Sequence, residues 1–493
     1  MRLTWHNYRY YPYERVLAAR EIQALLDPTT QTEVSDGIEI QGNVETRQVA
    51  RLTYFSGAVN GHGLVPTIQS QLEEAGRSGK KKQATRYSVH GMHEYKGKFN
   101  PQVARVLLNI FGVQEGHHVL DPFCGSGTTL VECSHIGANG FGTDINPFAV
   151  MVARAKLLAL RTPVAKLLEI HDRLSVALVE KSTGWTLLED TRLAYLRSWF
   201  DADMLDEIEF IRTRILECSG ELAPVFLIVA SNLLRDYSQQ DPGDLRIRRR
   251  KSPLPETPFT VAFLDAARPL LARIDATQAI LGTSLPESQA VLRDVSELAL
   301  DDLVGPFDAA ITSPPYAMAL PYIDTQRLSL VWLGLVDPSS ILQLESELIG
   351  SREMRGNARR LLPDQLAENA SILPAEEAKL CLDLHHALGE KDGFRRQAVP
   401  MLLYRYFAAM KESFRSVKSV LKAGAPYGLI VGHNHSTIGG LRRDFDTPRH
   451  LANLAVSEGW RVEELIPLQT YHRYGYHVDN AVAAETLIIL RNG

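Results

Sequence analysis

The stretch Asp121-Pro-Phe-Cys-Gly-Ser-Gly-Thr-Thr129 restricts what this chain can fold into more than any other. The short apolar run His117-His-Val-Leu-Asp121 enters it as a strand, and a helical pattern from Thr128 to Ile136 leaves it. It is therefore the turn of a strand–turn–helix unit. In Gly125-Ser-Gly127 the missing side chains let the backbone turn sharply and let a ligand reach main-chain amides, at a helix N-terminus that favours electron-rich groups. A second strand, Asn139 to Asp144, completes a βαβ unit.

Asp144 stands nineteen residues after Gly125, at the strand end from which a carboxylate can accept both hydroxyls of a ribose. A full dinucleotide fingerprint is absent because Leu130 holds its third glycine position. With no pyrophosphate to cradle, a nucleoside-type cofactor such as S-adenosylmethionine fits better. Asp294, ending the later strand Ala290–Asp294, is placed to accept from an adenine amino group. An ordinary glycine turn beside capping aspartates is the competing reading of these residues taken alone.

Length and composition frame this unit. The 493 residues, 45% of them apolar, suffice for one large core or two to three smaller ones. A net charge of −5 gives no bulk attraction to nucleic acid, so any such contact has to come from local basic clusters. Cys124, Cys133, Cys218 and Cys381 show no paired or metal-type spacing, which fits a reduced, cytoplasmic protein. The start, Met-Arg-Leu-Thr-Trp-His-Asn-Tyr, is too polar for a signal peptide, and no run of about 18 apolar residues occurs, so neither export nor a membrane span is expected.

The chain divides into six stretches. Residues 1–86 are a leading segment with a helix expected over Glu14–Leu26, closing in Gly76-Arg-Ser-Gly-Lys-Lys-Lys-Gln83, which suits a solvated linker or a phosphate contact. Residues 87–150 hold the turn, preceded by a helix expected from Pro101. Residues 151–285 carry apolar-periodic stretches at 164–180, 190–216 and 222–237, too long for a crossover, and are expected as a helical insertion. Sheet signals resume in 286–337 with Phe307–Thr312. A polar helical insertion fills 338–400 and carries Arg352, Arg355, Arg359 and Arg360. Residues 401–493 return to α/β alternation, with strands at Tyr427–Val431, Val462–Leu468 and Glu485–Leu490 and helices at Leu402–Leu421 and Arg449–Gly459.

The second chemical feature is Thr312-Ser-Pro-Pro-Tyr316. An apolar strand runs into two prolines, which cannot donate to a ladder and which hold a fixed extended turn. An exocyclic amine on a base is a poor nucleophile because its lone pair is delocalised into the ring. Accepting its hydrogens with the Ser313 hydroxyl and the Pro314 carbonyl favours a more tetrahedral nitrogen, while Pro315 fixes the turn and Tyr316 offers a ring face to a base flipped from its duplex. Seen alone, the pentapeptide also suits a surface turn.

Together DPFCGSGTT and TSPPY resemble the amino-methylating DNA methyltransferases, and Ser-Pro-Pro-Tyr is most similar to their cytosine-N4 branch. The segment His93-Glu-Tyr-Lys-Gly-Lys-Phe99 resembles the family's cover over the methionine end of the cofactor, which makes Lys98 and Phe99 site candidates. The resemblance implies a Rossmann-like α/β fold, a mostly parallel seven-stranded sheet with helical insertions, over roughly 87–160, 286–337 and 401–493. It implies S-adenosylmethionine at Asp121, Phe123, Gly125, Ser126, Gly127, Thr128, Asp144, Asn146 and Asp294. Double-stranded DNA becomes the expected partner, with a separate cognate restriction or defence nuclease as a second. Direct in-line methyl transfer to cytosine N4 is the expected reaction. Adenine N6, an RNA amino group, or a non-catalytic nucleic-acid-binding subunit of the same fold remain alternatives.

No motif covers either insertion. Within the first, Arg246, Arg248, Arg249, Arg250 and Lys251 form a loop expected to have no acidic partner nearby and to touch DNA phosphates, or one guanine. A solvated or internally paired loop is the alternative. Cys124 is expected as a small turn residue, since none of the cysteines follows a proline as a ring-carbon nucleophile would. His433 and His435 are read as loop residues, and no metal site is expected.

Overall fold

A computed structural model describes residues 1–60, 63–75, 83–179, 190–300, 305–318, 323–354, 356, 358–469 and 484–493. Most of the lysine-rich run at 76–83 and Arg355 lie outside the described residues.

The leading segment is more ordered than its composition suggests. Strands β1 (Arg2–Trp5), β2 (Thr30–Val34), β3 (Gly37–Gln41), β4 (Phe55–Asn60) and β5 (Gly63–Pro66) form an antiparallel sheet in the order β2-β3-β1-β4-β5. The expected helix runs over Pro12–Leu26, with proline in its first turn. Its buried Leu17, Ile22 and Leu26 share one core with Val103, Val106 and Leu107 of the helix Pro101–Ile110, and with Val119, Ile311, Ile430 and Ile489 of the central sheet.

That central sheet contains β6 (His118–Asp121), β7 (Asn139–Asp144), β8 (Gln289–Leu292), β9 (Ala309–Thr312), β10 (Pro426–Gly432), β13 (Trp460–Gln469) and β14 (Ala484–Asn492). Strands β11 (Asn434–Ile438) and β12 (Leu441–Phe445) form a separate hairpin directly after β10. The order is β13-β14-β10-β9-β6-β7-β8, parallel except that β14 runs against both its neighbours. This is the mostly parallel seven-stranded sheet expected. Because helices cover both faces, the strands read as continuous apolar runs. Alternate residues still face opposite ways: Ile311 and Ile430 join the core beneath the leading segment, whereas Ala310 and Leu429 join the core under the helices Val399–Val420 and Thr447–Ser457.

Residues 151–285 begin inside the helix Pro147–Arg161, which packs beside β7 and β8. The helices Val164–Ala177, Ala202–Ser219, Ala223–Ser231 and Phe259–Leu281 then build a core around Leu130, Val131 and Val152, next to the glycine turn. The apolar-periodic stretch over 190–216 forms two helices, with a break at Ser198–Asp201. No helix among the described residues is long and apolar enough to cross a membrane.

Candidate active site

The two chemical motifs meet at the C-terminal ends of β6 and β9, neighbours in the sheet. Asp121 joins them. Its buried carboxylate accepts from Thr312 Oγ1 at 2.6 Å and from the Phe123 amide at 3.3 Å, and burial pushes its pKa up to about 6. Asp121 therefore sits behind the turn and fixes it to the strand that carries Ser313. Gly127 has a φ of 77°, and a Cβ there would stand 2.8 Å from Ala153 Cβ, so only glycine lets the helix Thr128–His135 start against the next helix.

Above the turn lies an open cleft of about 630 Å3. Ten of the residues anticipated from the sequence line it: Lys98, Phe99, Phe123, Gly125, Ser126, Thr128, Asp144, Asn146, Ser313 and Pro315. Asp144 is held by the Gly125 amide on Oδ2 and the Asn146 amide on Oδ1, both at 2.9 Å, and burial raises its pKa to about 6. Each carboxylate oxygen accepts one of these bonds and keeps a lone pair. The Asn146 side chain caps the following helix at the Phe148 amide and donates to Gln326, so it forms wall rather than a free ligand group. The Ser126 carbonyl accepts from the wholly buried Lys156 Nζ at 2.7 Å. Burial holds that amine well below its ordinary pKa. Among the described residues the buried Ser126 hydroxyl has no hydrogen-bond partner.

Asp294 borders an adjoining cavity of about 330 Å3 that shares Phe123, Asp144, Pro315, Leu348 and Ile349 with the main cleft. Its Oδ1 accepts from the Ser296 amide and hydroxyl, leaving Oδ2 outside that cap. Pro314 is buried and Tyr316 stands to one side, its hydroxyl donating to Glu485 Oε1 of β14 at 2.6 Å. The Ser313 hydroxyl reaches the Ile430 carbonyl of β10 at 3.2 Å.

Tyr95, Leu348 and Ile349 are among the wall residues that escaped the sequence reading. Tyr95 lies within the segment that supplied Lys98 and Phe99, and its ring faces Gly125. Leu348 and Ile349 come from the second insertion, where an apolar pair before Gly350 in a polar stretch was the available signal. Gly350 has a φ of 79°, and a Cβ there would lie 2.5 Å from the Tyr316 carbonyl oxygen. The Met318 amide donates to the Gly350 carbonyl at 3.0 Å. The insertion is thus seated directly on the Pro-Pro-Tyr loop.

The segment bearing Tyr95 and Lys98 is anchored from below. Glu132 accepts from Tyr87 at 2.8 Å and from Arg105 Nε at 2.6 Å, and His90 Nε2 lies 2.7 Å away. His90, Glu132 and His135 could together reach a metal ion, but the fully buried Arg105 already supplies the positive charge. Desolvation, which on its own would raise it, is outweighed by Arg105 and the histidines, so Glu132 stays well below the usual carboxylate range. The His90 carbonyl in turn accepts from Lys98 Nζ at 2.9 Å, and burial lowers that amine to about 8.

The arginine loop corrects one expectation. Arg248 does have an acidic partner, Asp244 at 3.0 Å, because the chain folds back within four residues. Arg249 lies over the Trp199 ring at 4.7 Å, and Arg250 donates to the Asp236 and Ser238 carbonyls. Arg246 and Lys251 remain exposed. Cys124 is buried in the turn, and burial raises its thiol well above the usual range, so it is no nucleophile. His433 contacts Thr486 Oγ1 at 3.2 Å, and His435 lies on β11.

Parts of the chain are similar to known proteins. Residues 91–178 match the family described as UPF0020: RMKL-like, methyltransferase domain. The Type II methyltransferase M.MjaII of Methanocaldococcus jannaschii is 51% identical over 70 residues, 14% of this chain and 13% of that protein. The chain thus spans a small part of that relative's length. The Type II methyltransferase M.BsoBI of Geobacillus stearothermophilus is 26% identical across 70% of this chain and 74% of its own. A tRNA (guanine(10)-N2)-dimethyltransferase of Methanothermobacter thermautotrophicus is 42% identical over 52 residues, 10% of this chain and 16% of its own. A cleft with a glycine turn, a carboxylate that keeps free lone pairs and an unpartnered hydroxyl suits a nucleoside cofactor. The glycine turn lies within the stretch that matches a methyltransferase domain, and that match and the relatives imply S-adenosylmethionine as the methyl donor.

Proposed function

We propose that the chain is a site-specific DNA methyltransferase acting on the N4 amino group of a cytosine turned out of its duplex. One observation carries the reading: Ser313 and Pro315 share a single cleft with Gly125 and Asp144, although the two pairs are far apart in sequence. When bound, S-adenosylmethionine supplies an electrophilic methyl group. Asp144 would hold its ribose, Asp294 its adenine, and Lys98, Phe99 and the turn Phe123–Thr128 its methionine end. The protein then has two tasks, holding both reactants in line and shaping the amine.

The amine depends on Ser313. Accepting an N–H at the Ser313 hydroxyl and another at the Pro314 carbonyl draws the nitrogen toward a tetrahedral form with a usable lone pair. The Ser313 hydroxyl proton has an outlet in the Ile430 carbonyl, which orients the oxygen lone pairs away from β10. Tyr316, fixed through Glu485, provides the stacking face. DNA is favoured over RNA because M.BsoBI aligns across 70% of this chain, whereas the tRNA enzyme aligns across 10%. The serine favours cytosine over adenine. Residues 151–285 and 338–400 flank the mouth as the candidate DNA-contacting parts, and a cognate nuclease would be a separate chain.

Nucleoside mass spectrometry of DNA from cells expressing the chain tests this directly, beside a Ser313→Ala control. N4-methylcytosine with the native chain, and a turnover about 100-fold lower in the variant at little-changed cofactor affinity, is the expected result. N6-methyladenine would overturn the serine argument, and a mark found on RNA alone would overturn the DNA assignment.

A further inference from the structure

Three arginines from three separate segments gather beside the loop that follows Ser-Pro-Pro-Tyr. The first is Arg246, at the tip of the arginine loop. That loop is docked onto Asp324, whose carboxylate takes a hydrogen bond from the Ile247 backbone and whose carbonyl accepts Gln240 Nε2 at 3.2 Å. The second is Arg352, two residues past Gly350, with Nε on the Met318 carbonyl at 2.5 Å. The third is Arg395, on the short helix Phe394–Gln397. This helix is joined to the β11–β12 hairpin, where the Asp392 carboxylate accepts the Gly439 amide at 2.8 Å. The base of the same hairpin is bonded to the loop through Asn434 and the Ala317 carbonyl.

The three charges bear on one another: the Arg352 guanidinium is held below its ordinary pKa, first by desolvation and then by the positive charges of Arg246 and Arg395. Glu353 follows Arg352 directly and bears on Asp324, Glu345 and Arg405, and among the described residues it forms no ion pair with any of the three arginines. Asp324 and Glu345 are engaged with Arg327 at 3.3 and 3.2 Å, and Asp244 with Arg248. No carboxylate among the described residues forms an ion pair with Arg246 or Arg395. Bringing three like charges together is unfavourable without an anion to share. None of the three lines the cleft, so they do not touch the reacting groups, and Arg352 follows its wall residues Leu348 and Ile349 by only a few positions.

We propose that Arg246, Arg352 and Arg395 form a clamp on the backbone phosphates of double-stranded DNA on either side of the target nucleotide. This rests on the DNA methyltransferase reading above and assigns the contact to both insertions and the hairpin together, not to the 246–251 loop alone. A planar guanidinium meets a phosphate with two parallel hydrogen bonds and fixes register without reading sequence. Three such contacts hold the strand while the base between them leaves the stack.

The test is the salt dependence of binding of the full chain to a mixed-sequence duplex, followed by fluorescence anisotropy. Each lost phosphate contact should lower the slope of log K against log salt by about 1. Arg246→Gln and Arg395→Gln are therefore each expected to flatten the slope by about one and to weaken binding to all sequences alike. Calorimetric affinity for S-adenosylmethionine should stay unchanged. Arg173→Gln, on the exposed face of the helix Val164–Ala177, should leave the slope as it is. If the native chain methylates DNA and both variants keep its slope, the clamp is wrong and the methyltransferase reading stands. If the native chain binds cofactor yet neither binds nor methylates DNA, both fall.

Discussion

Replacing Gly350 by alanine tests whether the second insertion completes the cofactor cleft. Two costs add at this position. An alanine held at a φ of 79° is disfavoured by about 1–2 kcal/mol. Its Cβ would also lie 2.5 Å from the Tyr316 carbonyl oxygen, a backbone atom that cannot swing aside, and overpacking of this kind costs about 1–3 kcal/mol. Gly334 separates the two terms, since its φ is 71° but nothing lies within 4 Å of a Cβ there. Gly334→Ala should therefore show the conformational cost alone. Gly350→Ala relieves its clash most easily by lifting Leu348–Gly350 off the Pro-Pro-Tyr loop, which takes two apolar side chains out of the cleft wall. Loss of one such contact, about 1.4 kcal/mol, corresponds to a tenfold weaker Kd for S-adenosylmethionine. Calorimetry and a denaturant midpoint on both variants give the comparison. Equal cofactor affinity in Gly350→Ala, Gly334→Ala and the native chain would refute the placement of Leu348 and Ile349 as cofactor wall.

Two further outcomes follow from buried charge. Burial raises Asp144 to about 6, and a carboxylate accepts ribose hydroxyls better than the neutral acid does. Cofactor affinity should thus hold above pH 7, fall as pH drops through about 6, and be about tenfold weaker at pH 5, while Asp144→Asn should be weak and flat in the same titration. Glu132→Gln leaves Arg105 buried without its counter-charge, so a loss of about 3–5 kcal/mol is expected by chemical denaturation. Adding Arg105→Met should restore much of that stability, and a near-neutral single variant would overturn the assigned pairing.

The sequence and the structure agree where local chemistry sets the shape. A glycine turn between a strand and a helix, and two prolines at a strand end, each have few backbone solutions, so the turn at 121–129 and the loop at 312–316 are legible in the sequence. The antiparallel sheet of the leading segment was not. Four of the five residues of β2 are exposed, and β4 and β5 contain glycines, so no alternation marks them as strands. The Asp244–Arg248 pair was hidden by a local fold-back. Leu348 and Ile349 line the cleft because the next residue, Gly350, seats their segment against Pro315 and Tyr316, a long-range contact that no periodicity in 338–400 announces.

The position of β14 has a bearing on how the protein is made. This strand follows all the others in sequence yet lies between β10 and β13, pairing with β10 over seven residues and with β13 over nine. On the ribosome, β13 therefore has no place in the sheet until residues past 484 have emerged, and the growing chain carries two unsatisfied strand edges until then. Glu485, which fixes the Tyr316 hydroxyl, arrives with the same strand. The fixing of the Pro-Pro-Tyr loop and the closing of the sheet are thereby reached in one late step, so a nascent chain that has already formed its glycine turn still lacks the anchor of the Tyr316 hydroxyl.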